Sequence, residues 1–254
     1  MLDLHSHILP GIDDGARDLG EARSLAERAE ADGVRTIAAT PHLRSDHPRV
    51  DPEAIARRVA DLQGHLFDDG IGVELVSGAE VDAMWAYRAS DRELRLASYG
   101  GRGTDLLLET PYGFLPPVFE ELVAGLRERG LRILLAHPER SPTFQGDTER
   151  LAALVRSGVL LQVSADSLAD APRRAPARRL ATRLVRERQA HVLATDSHGP
   201  GMGRNPSLSA AVAIAERLAP GWGRWMAEEA PAAILAGADL ERPHGSEAGR
   251  GTRG

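Results

Sequence analysis

The sequence predicts an α/β protein built as a distorted (β/α)7 TIM-like barrel in a single domain. Three observations carry the prediction. Short apolar runs alternate with stretches of helical period along most of the 254 residues, the pattern of parallel strands joined by right-handed helical crossovers. No hairpin turn signal joins one run to the next. Each run is continuously apolar, so none reads as a polar edge, and a closed or distorted barrel fits better than an open sheet.

The elements follow in order. A short apolar strand runs into His5, Ser6 and His7, followed by Asp13, Asp14 and a glycine. Residues 18–32 read as a helix, with Ala22, Leu25, Ala26 and Ala29 on one face and Gly33 as its stop. Residues 34–39 form a strand ending in Thr40, Pro41, His42. A helix begins at Pro52, where proline suits the first turn, and carries Ile55, Val59, Leu62 and Leu66 on one face. The strand 71–76 runs out into Gly78, Ala79, Glu80. Residues 81–98 read as helical, 104–108 as a buried strand with Glu109 at its end, and 118–129 as a helix. The strand 131–135 delivers Ala136, His137, Pro138, Glu139 and Arg140. A helix over 148–157, a strand over 159–163 and an arginine-rich helix over 173–189 come next. The last strand, 191–194, ends in Thr195, Asp196, Ser197, His198, and helices over 207–218 and 222–236 close the domain. The domain is expected to span 1–236, with Trp222 and Trp225 as packing anchors. Residues 237–254 turn to Gly, Arg and Glu with little to bury, and are expected to form a disordered tail.

Composition narrows the chemistry. There is no cysteine, which removes disulfides, thiolate metal sites and cysteine nucleophiles. There is no lysine either: all 31 basic residues are arginine, which excludes Schiff-base chemistry and a Walker-type phosphate loop. A formal net charge of −6 argues against general nucleic-acid binding. No apolar run approaches the roughly 20 residues that cross a bilayer, and the N-terminus has no signal-peptide pattern, so a cytoplasmic protein without membrane insertion is expected.

The polar residues fall at equivalent places. His5 and His7, His42, Glu80, Glu109, His137, and Asp196 with His198 each lie at the C-terminal end of an expected strand or just beyond it. In a parallel barrel those ends share one face, the face on which barrel active sites are built. A strand-end Glu that caps a helix, or a His beside Pro that holds a turn, is unremarkable singly; six strands doing so together point to one site. Two histidines one residue apart on extended backbone point the same way and make a pincer for a divalent ion. Asp13 and Asp14 are equivalent candidates by spacing, and either could merely turn the loop. The remaining histidines, His47, His65, His191 and His244, are assigned no functional role. Five imidazoles and at least three carboxylates exceed what one zinc ion holds, so two or three metals are implied. Clustered cations suit phosphate-ester hydrolysis. Arg140 and Arg204 would rim the pocket as phosphate clamps, since guanidinium binds phosphate oxygens bidentately.

The pieces DLHSHILPGIDDGA, ATPH, GAE, LLLETP, AHPER and ATDSH resemble those of the PHP (polymerase and histidinol phosphatase) superfamily, closest to the bacterial capsular-polysaccharide-type protein tyrosine phosphatases. The resemblance covers nearly the whole chain. It implies the PHP form of the barrel and a cluster of up to three metals, often manganese, with iron or zinc as the other ions such ligands accept. It also implies dephosphorylation of a membrane-associated tyrosine autokinase that controls exopolysaccharide export. Carried over residue by residue, the ligand set falls on His5, His7, Asp14, His42, Glu80, Glu109, His137, Asp196 and His198, and the phosphate-binding arginines on Arg140 and Arg204. Either His42 or a metal-bound water could protonate the leaving group. Leu43, Ser141 and Gly199 depart from the histidine, tyrosine and asparagine usual in relatives; none is a carried-over ligand, and the departures bear on substrate. The alternatives are a small-molecule phosphatase, histidinol phosphate being the obvious substrate, and a non-catalytic metal-stabilised PHP module.

Overall fold

A computed structural model of the chain describes residues 1–111, 113, 115–199 and 206–243. Among the described residues nine parallel strands form the centre: β1 (Leu2–Ser6), β2 (Thr36–Ala39), β3 (His42–Leu43), β4 (Glu74–Ser77), β5 (Glu80–Val81), β6 (Asp105–Glu109), β7 (Arg132–Ala136), β8 (Leu160–Ser164) and β9 (Val192–Ala194). They pair in two sheets, β1-β2-β4 and β3-β5-β6-β7-β8-β9.

The sheets are one distorted ring. β2 and β3 are consecutive pieces of one extended segment interrupted at Thr40–Pro41, and β4 and β5 are pieces of another interrupted at Gly78–Ala79. Backbone bonds bridge the interruptions: Thr40 donates to the Ser6 carbonyl at 2.9 Å, Gly78 to Ala39 at 3.0 Å and Glu80 to Pro41 at 3.1 Å. A side chain at Gly78 would meet the Tyr99 ring at 3.0 Å, so glycine lets the strand bend over that ring. On the other side Asp196 donates to the His5 carbonyl at 2.8 Å and His7 to the Ser197 carbonyl at 2.9 Å, joining β1 to the segment after β9. Seven extended segments thus surround one interior, as the alternation of apolar runs and helices predicts.

Side-chain alternation divides the core in two. Leu4, Ala38, Leu107, Leu134, Ala136, Leu160, Val192 and Ala194 pack together with Tyr99 and Ile234. Leu106, Leu108, Ile133, Leu135, Leu161, Val163 and Leu193, their neighbours along the same strands, pack with the helices instead. The Tyr99 hydroxyl donates to the Leu4 carbonyl at 2.8 Å, which satisfies the one polar atom of a fully buried ring. Continuing the same alternation, Glu109 follows Leu107 by two residues, Gln162 follows Leu160 and Asp196 follows Ala194, which carries polar side chains to the C-terminal end of the strands.

Helices begin where the sequence offers caps: Asp18 and Asp51 accept from the backbone of Glu21 and Glu53, and Pro52 opens the second helix. Two expected helices are each divided. Residues 81–98 form Ala83–Arg88 and Asp91–Ala97, because Ser90 and Glu93 make a capping box that starts a new helix. Residues 222–236 form Trp222–Ala227 and Glu229–Ala236, with Glu228 at φ −130° between them. Trp222 and Trp225 are buried, and their indole N–H groups donate to the carbonyls of Ala190 and Glu241. The last helix stops at Gly237 in the left-handed region. Beyond it, Ala238 and Glu241 supply carbonyls to Arg132 and Trp225, so the chain stays on the barrel through this stretch. No helix among the described residues is long and apolar enough to cross a membrane.

Candidate metal centre

The nine side chains His5, His7, Asp14, His42, Glu80, Glu109, His137, Asp196 and His198 lie together at the C-terminal end of the ring. Their donor atoms form four overlapping groups, each within 4.8 Å: His7, Asp14, His42 and His198; His5, His137 and Asp196; His5, His7 and Glu80; His42, Glu80 and Glu109. All are buried except Asp14, which is partly exposed at the mouth. Of the two arginines, Arg140 adjoins the cluster, donating to Asp196 and, at 2.8 Å, to Asp166. Arg204 lies outside the described residues.

Glu80 is the centre. Its Oε2 lies 3.2 Å from His5 Nε2, 3.4 Å from His7 Nε2 and 3.0 Å from His42 Nδ1, and its Oε1 lies 2.7 Å from His137 Nε2. Asp196 Oδ1 closes the other side, 3.4 Å from His5 and 3.5 Å from His7. Burial alone would push these carboxyls up. The surrounding imidazoles reverse it and hold both Glu80 and Asp196 well below the usual carboxylate range. Glu109 is different: burial and the Glu80 charge push it up to about 7.

The loop after β1 explains the DDG motif. Asp13 Oδ2 sits 2.7 Å from His7 Nδ1 and also accepts from the His42 backbone N–H at 3.1 Å, while its other oxygen accepts from Gly15 at 3.1 Å. Asp14 Oδ1 instead faces Nε2 of His42 and of His198, each at 3.5 Å. The two aspartates are therefore unlike: Asp13 turns the loop and orients His7, and Asp14 joins the donor cluster. Gly15 is required because a Cβ there would lie 2.0 Å from the His7 carbonyl oxygen. That contact is the loop folding back, with Ala16 donating to the same carbonyl at 3.0 Å.

Two non-glycine residues of the cluster occupy the left-handed region, His137 at φ 35° and Asp196 at φ 52°. Pro138 disfavours ordinary helical backbone at His137. Such conformations cost energy and concentrate where surroundings impose them, as at active sites.

Gln162 holds the floor and was absent from the candidates read in the sequence. Its Oε1 lies 3.1 Å from His5 Nδ1 and accepts from the His137 backbone at 3.1 Å. The available signal was a lone amide in an otherwise apolar strand, LLQVS. Arg44, whose Nη1 donates to Glu109 at 2.8 Å, and His47, whose ring lies 5.1 Å from that of His42 at 14° between planes, were likewise missed.

The donor set fits divalent ions. Asp14 Oδ1, His42 Nδ1 and Glu80 Oε2 are buried and none makes a hydrogen bond of acceptable geometry, although they face other donors of the cluster at 3.0–3.5 Å. Buried polar atoms are ordinarily satisfied, so convergent lone pairs without protons between them suit cations. Imidazole with carboxylate is the shell of manganese, iron or zinc rather than calcium. On His7, whose own burial would lower it, Asp13 raises the imidazole well above its ordinary value; a bound ion would displace that proton.

Comparison with known proteins agrees with this geometry. The chain is 30% identical over 198 residues, 78% of its length, to the tyrosine-protein phosphatase YwqE of Bacillus subtilis (strain 168), of which 77% is covered. It is 25% identical over 174 residues to the tyrosine-protein phosphatase CpsB of Streptococcus pneumoniae, covering 65% of this chain and 67% of CpsB. A solved structure belonging to the pair YwqE from Bacillus subtilis and CpsB from Streptococcus pneumoniae, described as unique metal-dependent tyrosine phosphatases, superposes with a TM-score of 0.84 at 28% identity, over 96% of this chain and 97% of its own. The sequence profile of capsular polysaccharide synthesis proteins CpsB/CapC matches residues 1–229, and the chain belongs to that family.

Proposed function

We propose that this protein is a metal-dependent phosphomonoesterase that removes phosphate from tyrosine on a protein, with a membrane-associated tyrosine kinase of capsule or exopolysaccharide synthesis as its partner. The observation that carries the reading is the cluster of nine imidazole and carboxylate side chains with Glu80 at its centre, in a chain similar to named tyrosine phosphatases. The overlapping groups suit two or three ions, with manganese as the leading metal, in a cytoplasmic enzyme. When bound, such ions would lower the pKa of water and neutralise charge on the phosphoryl oxygens.

The chain's own groups have defined tasks in this scheme. His5, His7, Asp14, His42, Glu80, Glu109, His137, Asp196 and His198 hold the ions. Gln162 and Asp13 set the orientation of His5 and His7. Arg140 brings a positive charge to the mouth; its bonds to Asp196 and Asp166 use two of its five N–H donors, leaving others for phosphoryl oxygens. Hydrolysis adds water across the phosphorus–oxygen bond and the phenol oxygen leaves with a proton. Both ring nitrogens of His42 face carboxylates, so we place it among the ligands rather than as that proton's donor. A phenol of pKa about 10 leaves with little assistance, so solvent suffices. Leu43 and Ser141, where relatives usually carry histidine and tyrosine, are both buried, and their bearing on substrate is what a comparison of phosphotyrosine peptide with histidinol phosphate reads.

The test is turnover of a phosphotyrosine peptide, a phosphoserine peptide and histidinol phosphate by wild-type protein and Glu80→Gln. The phosphotyrosine peptide should be preferred, with activity lost in Glu80→Gln and on chelation and regained on adding Mn2+. Turnover that persists after thorough chelation, or a marked preference for histidinol phosphate, would overturn the reading. Metal uptake without turnover of any substrate would identify a non-catalytic module.

A further inference from the structure

The loop 44–47 covers one side of the cluster. Arg44 lies directly after β3, and its Nε and Nη2 bind the Asp46 carboxylate at 2.7 and 3.0 Å while Nη1 donates to Glu109 Oε1 at 2.8 Å. Three residues on, His47 lies nearly flat on His42. Arg44 Nη2 comes within 3.5 Å of His47 Nε2, tying the two together. One four-residue loop therefore grips two members of the group His42, Glu80 and Glu109.

An exposed arginine–aspartate pair is worth little by itself. This one differs because its third partner is buried: the Glu109 side chain is 3% exposed and that of Arg44 22%. The arrangement also has a counterpart. Across the ring, Arg140 after β7 joins the buried Asp196 to Asp166 at the mouth, as Arg44 after β3 joins the buried Glu109 to Asp46. Each guanidinium holds a carboxylate of the cluster from outside and is itself held by a more exposed acid.

We propose that Arg44 and His47 are positioning residues for the metal subsite of His42, Glu80 and Glu109, Arg44 through Glu109 and His47 through the shared His42 ring. Arg44 aims Glu109 by engaging Oε1, which leaves Oε2 for a cation. His47 sets the plane of the His42 ring, and with it the direction in which Nδ1 meets Glu80 Oε2. The inference rests on the reading of the cluster as a metal centre. Glu109 belongs to this group alone, so loss of Arg44 should affect one ion, whereas the His42 ring also faces Asp14 through Nε2, so loss of His47 should reach the group of His7, Asp14, His42 and His198 as well.

The experiment is calorimetric titration of the metal-stripped full-length protein with Mn2+, with elemental analysis of the ions retained after gel filtration. Arg44→Gln should weaken one class of site about 10- to 100-fold, the range for removal of a group that orients a ligand, and lower the retained ions by one per chain; His47→Ala should weaken that class and the one built on His7, Asp14, His42 and His198. The other classes should be unchanged in Arg44→Gln. Arg44→Lys should recover part of the affinity, because an ammonium still donates to Glu109 but cannot fork onto Asp46. Turnover of Arg44→Gln should climb back towards wild type as Mn2+ is raised, which a merely structural defect would not do. Should Arg44→Gln fail to fold, Arg44→Lys and His47→Ala decide by the same titration. Isotherms that superimpose on wild type in the folded variants would overturn the inference alone. Wild-type protein that takes up no metal would overturn both it and the reading beneath it.

Discussion

Replacing Asp13 by alanine separates orientation from ligation, because Asp14 beside it provides the control. The Asp13 carboxylate serves three donors: His7 Nδ1 at 2.7 Å and the backbone N–H groups of His42 and Gly15, each at 3.1 Å. The first is charge-assisted, worth roughly 1.5–3 kcal/mol, and the other two about 1 kcal/mol apiece before water replaces part of them. A loss of about 3 kcal/mol should lower the melting temperature of a chain this size by roughly 6–12 °C. His7 also loses the partner that sets its tautomer, so Mn2+ affinity should fall about 10- to 100-fold. Asp14→Ala should behave differently. Its carboxylate is 36% exposed and faces the His42 and His198 rings at 3.5 Å, so the metal-free protein should melt close to wild type while one metal site is lost. Differential scanning calorimetry and titration with Mn2+ on both variants supply the readings. An Asp13→Ala protein with wild-type melting and affinity would refute the assignment of roles within the pair.

Two other outcomes are expected. Gly15→Ala must displace the loop, since its Cβ would otherwise lie 2.0 Å from the His7 carbonyl oxygen; overpacking of this kind costs about 1–3 kcal/mol, and a thermal melt with a Mn2+ titration should show both stability and metal affinity reduced, with unchanged values contradicting the close approach. His191 concerns pH: burial, with Arg242 nearby, pushes its imidazole down to about 3, and its Nδ1 accepts from the Leu161 backbone at 3.1 Å, so it folds neutral. An unfolded histidine takes its proton near pH 6.5. Between those values the unfolded chain holds a proton that the folded chain refuses, so this contribution is complete above about pH 6.5 and is lost as pH falls towards 3. His191→Gln retains an acceptor for Leu161 without titrating, and urea unfolding from pH 7 to 4 should show a shallower loss of stability than wild type. Parallel slopes would contradict it.

Much of the architecture could be read locally. An apolar run such as residues 106–108 or 159–161 marks a strand buried on both sides without reference to anything distant, and the spacing of Ile55, Val59, Leu62 and Leu66 marks a helix face. Interruptions were harder. The pieces His42–Leu43 and Glu80–Val81 are two residues each, too short for any periodicity, and exist because neighbouring segments offer them hydrogen bonds. The break at Ser90 has a local signal, the capping box with Glu93, set between stretches of helical composition on either side.

By itself, the sequence determined that imidazoles and carboxylates sit at the ends of successive strands, and that a parallel ring must bring those ends to one face. That conclusion needs only the order of the elements. The tertiary structure decided which atom faces which: Asp13 behind His7 and Asp14 in front, Gln162 beneath two histidines, Arg44 on Glu109. His5 and Gln162 are 157 positions apart and Arg44 and Glu109 are 65 apart. Contacts at such separations depend on strand register and on side-chain rotamers set by packing, and neither is a property of any local stretch of chain.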